Sequence, residues 1–243
     1  VVSVLISTTL RSLMDLVRGL RLLARERNSM RYICTSIMAF ASLCITGTSF
    51  GDFWKPTPVK LTASDGEMGD RFGKIVAIDG DTCLIGASNA AYVYTSNGSH
   101  VAKLTADSDA FGSSVAIDAG IAVIGAWGDD DNGIFSGSAY VFEQQADGTW
   151  QQVAKLTADD GASSDWFGEM VALDAGVAVI GARFDDDNDF GTGSAYVYEQ
   201  QANGTWQQVA KLTANDGASD DQFGTSVATS GGIAVIGAYG SAS

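Results

Sequence analysis

From residue 53 to the end of the chain, two hydrophobic patterns alternate. Runs such as "SSVAIDAG" (113–120) and "IAVIGA" (121–126) are almost continuously apolar or small, and a tight Asp-Ala-Gly turn separates them. Runs such as "GSAYVYEQQ" (193–201) alternate apolar and polar residues with period two, and "TWQQVAKLTA" (205–214) follows an Asn-Gly step. Short β-rich runs broken by Gly and Asn/Asp-Gly pairs predict strands joined by hairpins. The predicted unit is four strands, A to D, with A opening at Phe-Gly.

This unit repeats. "KLTA" opens four segments, at Lys60, Lys103, Lys155 and Lys211. Each then reaches Phe-Gly, at Phe72, Phe111, Phe167 and Phe223, and 14 residues later the glycine of Ile-Gly-Ala, at Gly86, Gly125, Gly181 and Gly237. The period is 56 residues, and 39 between the first two copies. Repeats of about 60–102, 103–154, 155–210 and 211–243 follow. Four antiparallel strands at such a period predict propeller blades, each burying an apolar face on its neighbour.

Phe-Gly, the apolar strand ending in "IGA" and the following "GSAYVY" resemble the FG-GAP repeat of integrin α-chain propellers and bacterial surface or secreted proteins. The resemblance covers residues 53–243. It implies an all-β, seven-bladed propeller used outside the cell for adhesion or ligand binding. About three and a half blades are present, and "DFWKPTPVKLTA" stands as a lone outer strand able to complete a last blade. The expectation is a fragment of a seven-bladed ring; two half-rings pairing, or an open arc, are the alternatives.

Charge is unevenly spread along the chain. Formal net charge is −15, with +4 on residues 1–51 and −19 on the remainder. Such a surface disfavours nucleic acid and anionic lipid and favours cations or basic surfaces. In an up-and-down blade the D–A and B–C connections share one face. Eighteen of the 27 acids of residues 52–243 fall in those loops, with Arg71 and Arg183 as the only expected basic neighbours.

The B–C loops hold the candidate metal site. "WGDDDNGIFSG" (127–137) and "FDDDNDFGTG" (184–193) offer carboxylates at alternate positions: Asp129 and Asp131 in one, Asp185, Asp187 and Asp189 in the other. Oxygens at every second position suit a loop that wraps Ca2+. Solvated acidic turns are the alternative. Calcium-binding repeats of the resembled family carry their loop between strands A and B instead. Here that interval holds only "IDGDT", "IDAGI", "LDAGV" and "TSGGI", too short to wrap a cation.

Other chemistry is sparse. His100 is the only histidine, which excludes multi-histidine metal sites, and no phosphate-binding, dinucleotide-binding or zinc motif occurs. Asn97 and Asn203 match glycosylation sequons but sit at hairpin turns. Trp54, Trp150 and Trp206 precede strand D and are expected to pack between blades.

Residues 30–51 read as a secretory signal, an apolar run after Met30-Arg31 that ends in small residues. Residues 1–29 are a basic amphipathic stretch, expected not to belong to the mature protein, and 52–243 form the propeller portion. After cleavage Cys83 would be the sole cysteine, in a buried strand. The expectation is a secreted or cell-surface protein, not an enzyme and not membrane-embedded in its mature part. It would bind an extracellular protein or glycan and pack against further blades of the same or a second chain. A hydrolase or lyase acting on polysaccharide, and a purely structural repeat block, are the alternatives.

Overall fold

The computed structural model describes residues 2–4, 59–187 and 189–240. The signal-peptide segment, the upstream segment apart from residues 2–4, and Trp54 lie outside the described residues. The chain divides into two units, residues 3–60 and residues 61–243 with Val1–Val2. Among the described residues no helix is long and apolar enough to cross a membrane.

Two short strands, β1 (Val2–Val4) and β2 (Val59–Leu61), pair with each other. Three complete antiparallel sheets follow. The first is β3 (Ile75–Asp79), β4 (Thr82–Ala87), β5 (Ala90–Thr95) and β6 (His100–Leu104). The second is β7 (Ser114–Asp118), β8 (Ile121–Ala126), β9 (Ser138–Gln144) and β10 (Trp150–Leu156). The third is β11 (Met170–Asp174), β12 (Val177–Ala182), β13 (Ser194–Gln200) and β14 (Trp206–Leu212). Strands β15 (Phe223–Ser230) and β16 (Ile233–Ala238) form a two-stranded fourth sheet. Within each sheet the strand order follows the sequence, as blades of a partial β-propeller require.

Burial follows the first sequence pattern and not the second. Strands β4, β8 and β12 carry the continuous runs and are buried from their second residue onward, because each lies inside its sheet with the next sheet against it. The alternating strands β9 and β13 are covered along most of their length as well, and the outer strand β10 leaves Gln151, Gln152 and Val153 exposed. Leu84, Ala91, Val93, Phe111, Ile124 and Tyr140 fill the space between the first two blades. Val123, Val141, Phe167, Ile180 and Tyr196 fill the next. Each fully buried side chain of this size contributes about 1.5–3 kcal/mol.

The Phe-Gly aromatics behave as expected only where a blade follows a blade. Phe111 and Phe167 are 0 % exposed, whereas Phe72 and Phe223 are half-buried. Each inner phenylalanine meets a strand-C tyrosine edge-on, Phe111–Tyr140 and Phe167–Tyr196 both at 5.4 Å, an added 0.5–1.5 kcal/mol or so. Trp150 and Trp206 pack half-buried against the same two clusters. Cys83 is buried. Ile233 and Val235, whose counterparts in β12 are covered, are 68 % and 65 % exposed.

The Phe-Gly and Ile-Gly-Ala glycines answer each other. The Gly168 N–H bonds the Gly181 carbonyl of its own blade at 3.1 Å. The Gly168 carbonyl meanwhile presses on the Cα of Gly125 in the preceding blade, where a Cβ would lie 1.8 Å from it. Gly86 and Gly181 face the carbonyls of Gly112 and Gly224 in the same way. On the other end of the blades, the last aspartate of strand A holds the next blade's turn. Asp79 accepts the Ala119 N–H at 2.8 Å, Asp118 that of Ala175 at 2.8 Å, and Asp174 that of Gly231 at 2.7 Å. Those acids, which end the "AID" and "ALD" segments, are interblade clamps.

The C–D hairpins are five-residue loops rather than two-residue turns. Gln145 and Thr149 close one, with Gly148 at φ 86° and the Asp147 carboxylate accepting both the N–H and the hydroxyl of Thr149. Asn203 does the same for Thr205, so the sequon asparagine there is a turn-forming group.

Candidate functional site: the acidic loop face

The D–A and B–C loops meet on one face, as strand order requires. Their contact is backbone-to-backbone: the Trp166 N–H bonds the Phe135 carbonyl at 3.1 Å, and the Gln222 N–H bonds the Gly191 carbonyl at 3.0 Å. The residue before each Phe-Gly takes left-handed backbone, with φ 50° at Arg71, 58° at Ala110, 59° at Trp166 and 55° at Gln222. None of them is glycine, so the pairing between loops holds a conformation that costs each residue about 1 kcal/mol or more.

The alternate carboxylates do converge, but on lysine. Lys211 of "KLTA" reaches Asp160 at 2.7 Å and Asp185 at 2.9 Å, and pairs also with Asp187. Beneath it the fully buried Tyr196 hydroxyl donates to Asp185 at 2.5 Å and also contacts Asp160 at 2.9 Å. One blade earlier Lys155 pairs with Asp129 at 3.0 Å and with Asp131, and the Tyr140 hydroxyl donates to Asp129 at 2.7 Å. In the first blade, which lacks the tract, Lys103 and Tyr92 share Asp65 at 2.5 and 2.9 Å. The expected basic neighbours of this face therefore need correction: the "KLTA" lysines of strand D reach it as well. Strand D enters the D–A loop on this face, and a lysine stem is long enough to cross to the tract.

These pairings move the titrations as their geometry demands. Burial pulls the Lys155 and Lys211 ammonium groups down, but the surrounding aspartates outweigh it and raise both above the ordinary lysine value. For Asp129 burial pushes upward, and the hydroxyl of Tyr140 and the charge of Lys155 outweigh it, so the net shift is downward. Asp160 is lowered in the same manner by Lys211 and Tyr196.

Asp165 is the exception. Only 3 % exposed, it accepts the Ala162 N–H at 2.7 Å. Burial, with the charges of Asp185 and Asp186 added, pushes its carboxyl up to about 6. A carboxyl whose folded pKa exceeds its unfolded value near 3.9 stabilises the fold below pH 4 and loses that contribution as pH rises through 6. About 2 pH units correspond to about 3 kcal/mol. Asp165→Asn should flatten the stability profile between pH 4 and 6 and raise the melting midpoint at pH 7, measured by thermal melts across that range. A profile unchanged by the substitution would place the titration elsewhere.

Among the candidate metal residues, Asp129, Asp131, Asp185 and Asp187 are thus drawn together in pairs around ammonium groups. Asp189 is apart from them and accepts the Phe190 N–H at 2.8 Å. Among the described residues no group of three or more His, Cys, Asp or Glu is placed to hold a metal ion.

Two clefts open between the loops. One, of about 420 Å³, is lined by Asn89, Asp107, Ser108, Asp109, Asp129 and Asp130. The other, of about 290 Å³, lies between Phe135, Trp166, Phe184 and Phe190, with Ser163, Ser164 and Asp186 at its sides. Sequence reasoning missed this aromatic group. Its members stand on three separate loops and share no period, so only the fold brings them together.

Four-stranded antiparallel blades, stacked through Phe-Gly and Gly-Ala contacts and carrying their variable loops on one face, define a propeller-type repeat protein. The chain belongs to the FG-GAP repeat family: the family model matches residues 57–101, 98–142, 150–198 and 206–243. No curated protein matches the sequence. Among solved structures, the chain is similar to the computationally designed Ika4 protein, at 17% identity and TM-score 0.49 over 73% of this chain and 90% of that one. It is also similar to a protein of unknown function from Bacteroides caccae, at 12% identity and TM-score 0.28 over 62% of this chain and 63% of that one.

Proposed function

We propose that the repeats form a non-enzymatic binding module that displays its acidic loop face to an extracellular protein or glycan. The observation that carries this is the fate of the carboxylates. Blade after blade, those that strand geometry brings together are tied to a lysine and a tyrosine rather than poised in a free pair. Acid–base cleavage of a glycoside needs two carboxyl groups facing one bond with a site between them. In the tracts a lysine ammonium stands at that place. What remains available is a repeated, strongly negative, rigidly held surface, which suits binding by several weak contacts. FG-GAP repeats are typical of extracellular proteins, and their propeller is typically non-catalytic, which supports the same reading.

Calcium enters this proposal as a competitor of the lysines. A divalent ion would have to displace Lys211 or Lys155 from oxygens already paired, so its effect on the native protein should be small and confined to millimolar concentrations. The module itself is tested on arrays of matrix proteins and glycans, with and without calcium, alongside a polysaccharide-cleavage screen. The expected result is saturable binding that weakens with salt and no turnover. Cleavage abolished by one loop substitution, or no binding to any surface component, would overturn it.

A further inference from the structure

In each acidic tract the flanking aspartates turn to the lysine, and the middle one does not. Asp185 and Asp187 share Lys211, whereas Asp186 has no ion-pair partner among the described residues and lines the aromatic cleft. That cleft is walled by rings from three loops of two neighbouring blades. Trp166 stands against Trp127 at 4.6 Å and meets Phe184 edge-on at 4.7 Å. Phe135 and Phe190 rise beside them, 42 % and 68 % exposed.

Phe135 is placed there against its own backbone preference. It has φ 58°, and the equivalent position of the next tract is Gly191, at φ 60°. A glycine would adopt this turn freely, so the bulky aromatic is not required by the loop. Asp130 pins it by accepting the Phe135 N–H at 2.7 Å. Strain retained at an exposed aromatic beside an unpaired carboxylate is a mark of a binding surface.

The chemistry of the walls specifies the ligand. Exposed aromatic rings and one carboxylate attract a cation. Arg183 already takes the faces of two of these rings, its guanidinium 4.9 Å from the Trp166 centroid and 4.6 Å from that of Phe184 and its charge paired with Glu169, so an entering cation meets the exposed Phe135 and Phe190 rings and Asp186. A guanidinium or primary ammonium entering the cleft would have to turn its N–H donors to Asp186, Ser163 and Ser164 at the sides, whereas a trimethylammonium group has none to satisfy and can stay on the rings. The surrounding acids repel anions, so a cation with no attached phosphate is favoured.

We propose that this cleft binds a soluble trimethylammonium compound of the choline type, a ligand class for the module proposed above and resting on that reading. The test uses the full chain, choline chloride as probe, and saturation-transfer NMR on the ligand methyl signal. Phosphocholine, phosphatidylcholine vesicles, arginine amide and cellobiose serve as competing arms. The expected result is saturable choline binding, at least fivefold weaker for phosphocholine and weakened by salt. Asp186→Asn and Phe190→Ala should each weaken it at least fivefold. Phe135→Gly should do the same while keeping the melting midpoint, because glycine suits that backbone and the fold survives. Four outcomes would overturn the proposal: no choline binding by the folded protein, undiminished binding by Phe135→Gly, tighter binding of arginine amide or cellobiose, or tighter binding of the vesicles. Such a failure with surface binding intact on the arrays removes the cleft ligand alone; loss of both removes the binding-module reading as well.

Discussion

Gly125→Ala should destabilise the protein by about 3 kcal/mol or more, although adding one methyl group to an exposed strand normally helps by up to about 1 kcal/mol. The added Cβ would sit 1.8 Å from the Gly168 carbonyl oxygen and 2.2 Å from Ser114 Oγ. Neither is free to leave. The carbonyl belongs to the Phe-Gly turn of the next blade and accepts the Ser114 hydroxyl at 2.8 Å. The blades must therefore separate, and the cluster around Phe167, Val141 and Ile180 loosens with them. For a chain of this size the loss corresponds to a melting shift of about 6–12 °C. Gly237→Ala is the matched control: its Cβ would meet only the flexible Ser226 side chain closely, at 2.3 Å, and the cost should stay below about 1 kcal/mol. Denaturant unfolding of both variants, followed by tryptophan fluorescence, checks the difference. Equal costs would mean that the Ile-Gly-Ala glycine serves the strand and not the blade junction.

Lys211→Met should cost about 3 kcal/mol at neutral pH. The substitution keeps the stem but leaves Asp160, Asp185 and Asp187 facing one another without a counter-charge. Breaking a buried ion pair typically costs 3–5 kcal/mol. The lower end applies because Asp187 is 53 % exposed and Asp160 40 %, and only Asp185 is fully covered. The Tyr196 hydroxyl remains with Asp185, which limits the damage further. The same variant tests the place of calcium. With the ammonium gone, calcium loses its competitor for the oxygens of Asp160, Asp185 and Asp187, and millimolar calcium should recover part of the lost stability. In the native protein the same addition should shift melting little. A variant that ignores calcium would remove the ion from the proposed function.

Much of this was legible in the residues. Fixed offsets between Phe-Gly and Ile-Gly-Ala marked the blades, because burying one sheet on the next demands the same residues at the same places. Strand order alone put the D–A and B–C loops on one face. The alternation of Asp185 and Asp187 suited a bound Ca2+, not an ion pair within the chain. What it did not name was the lysine: Lys211 lies 24 residues beyond Asp187, in a strand read as an outer edge. Trp166 was invisible as a site residue for a related reason, since its counterparts are Arg71, Ala110 and Gln222.

The repeat, the four-stranded unit and the sign of the loop face could be read from the residues alone. All of these follow from period, apolar patterning and local turn chemistry, which act over a few residues at a time. Tertiary structure decided which carboxylates are paired, which one is left facing a cleft, and which aromatics wall it. Those depend on contacts between segments up to about 50 residues apart, where a lysine stem, a tyrosine hydroxyl and a strained phenylalanine are placed by the stacking of two blades.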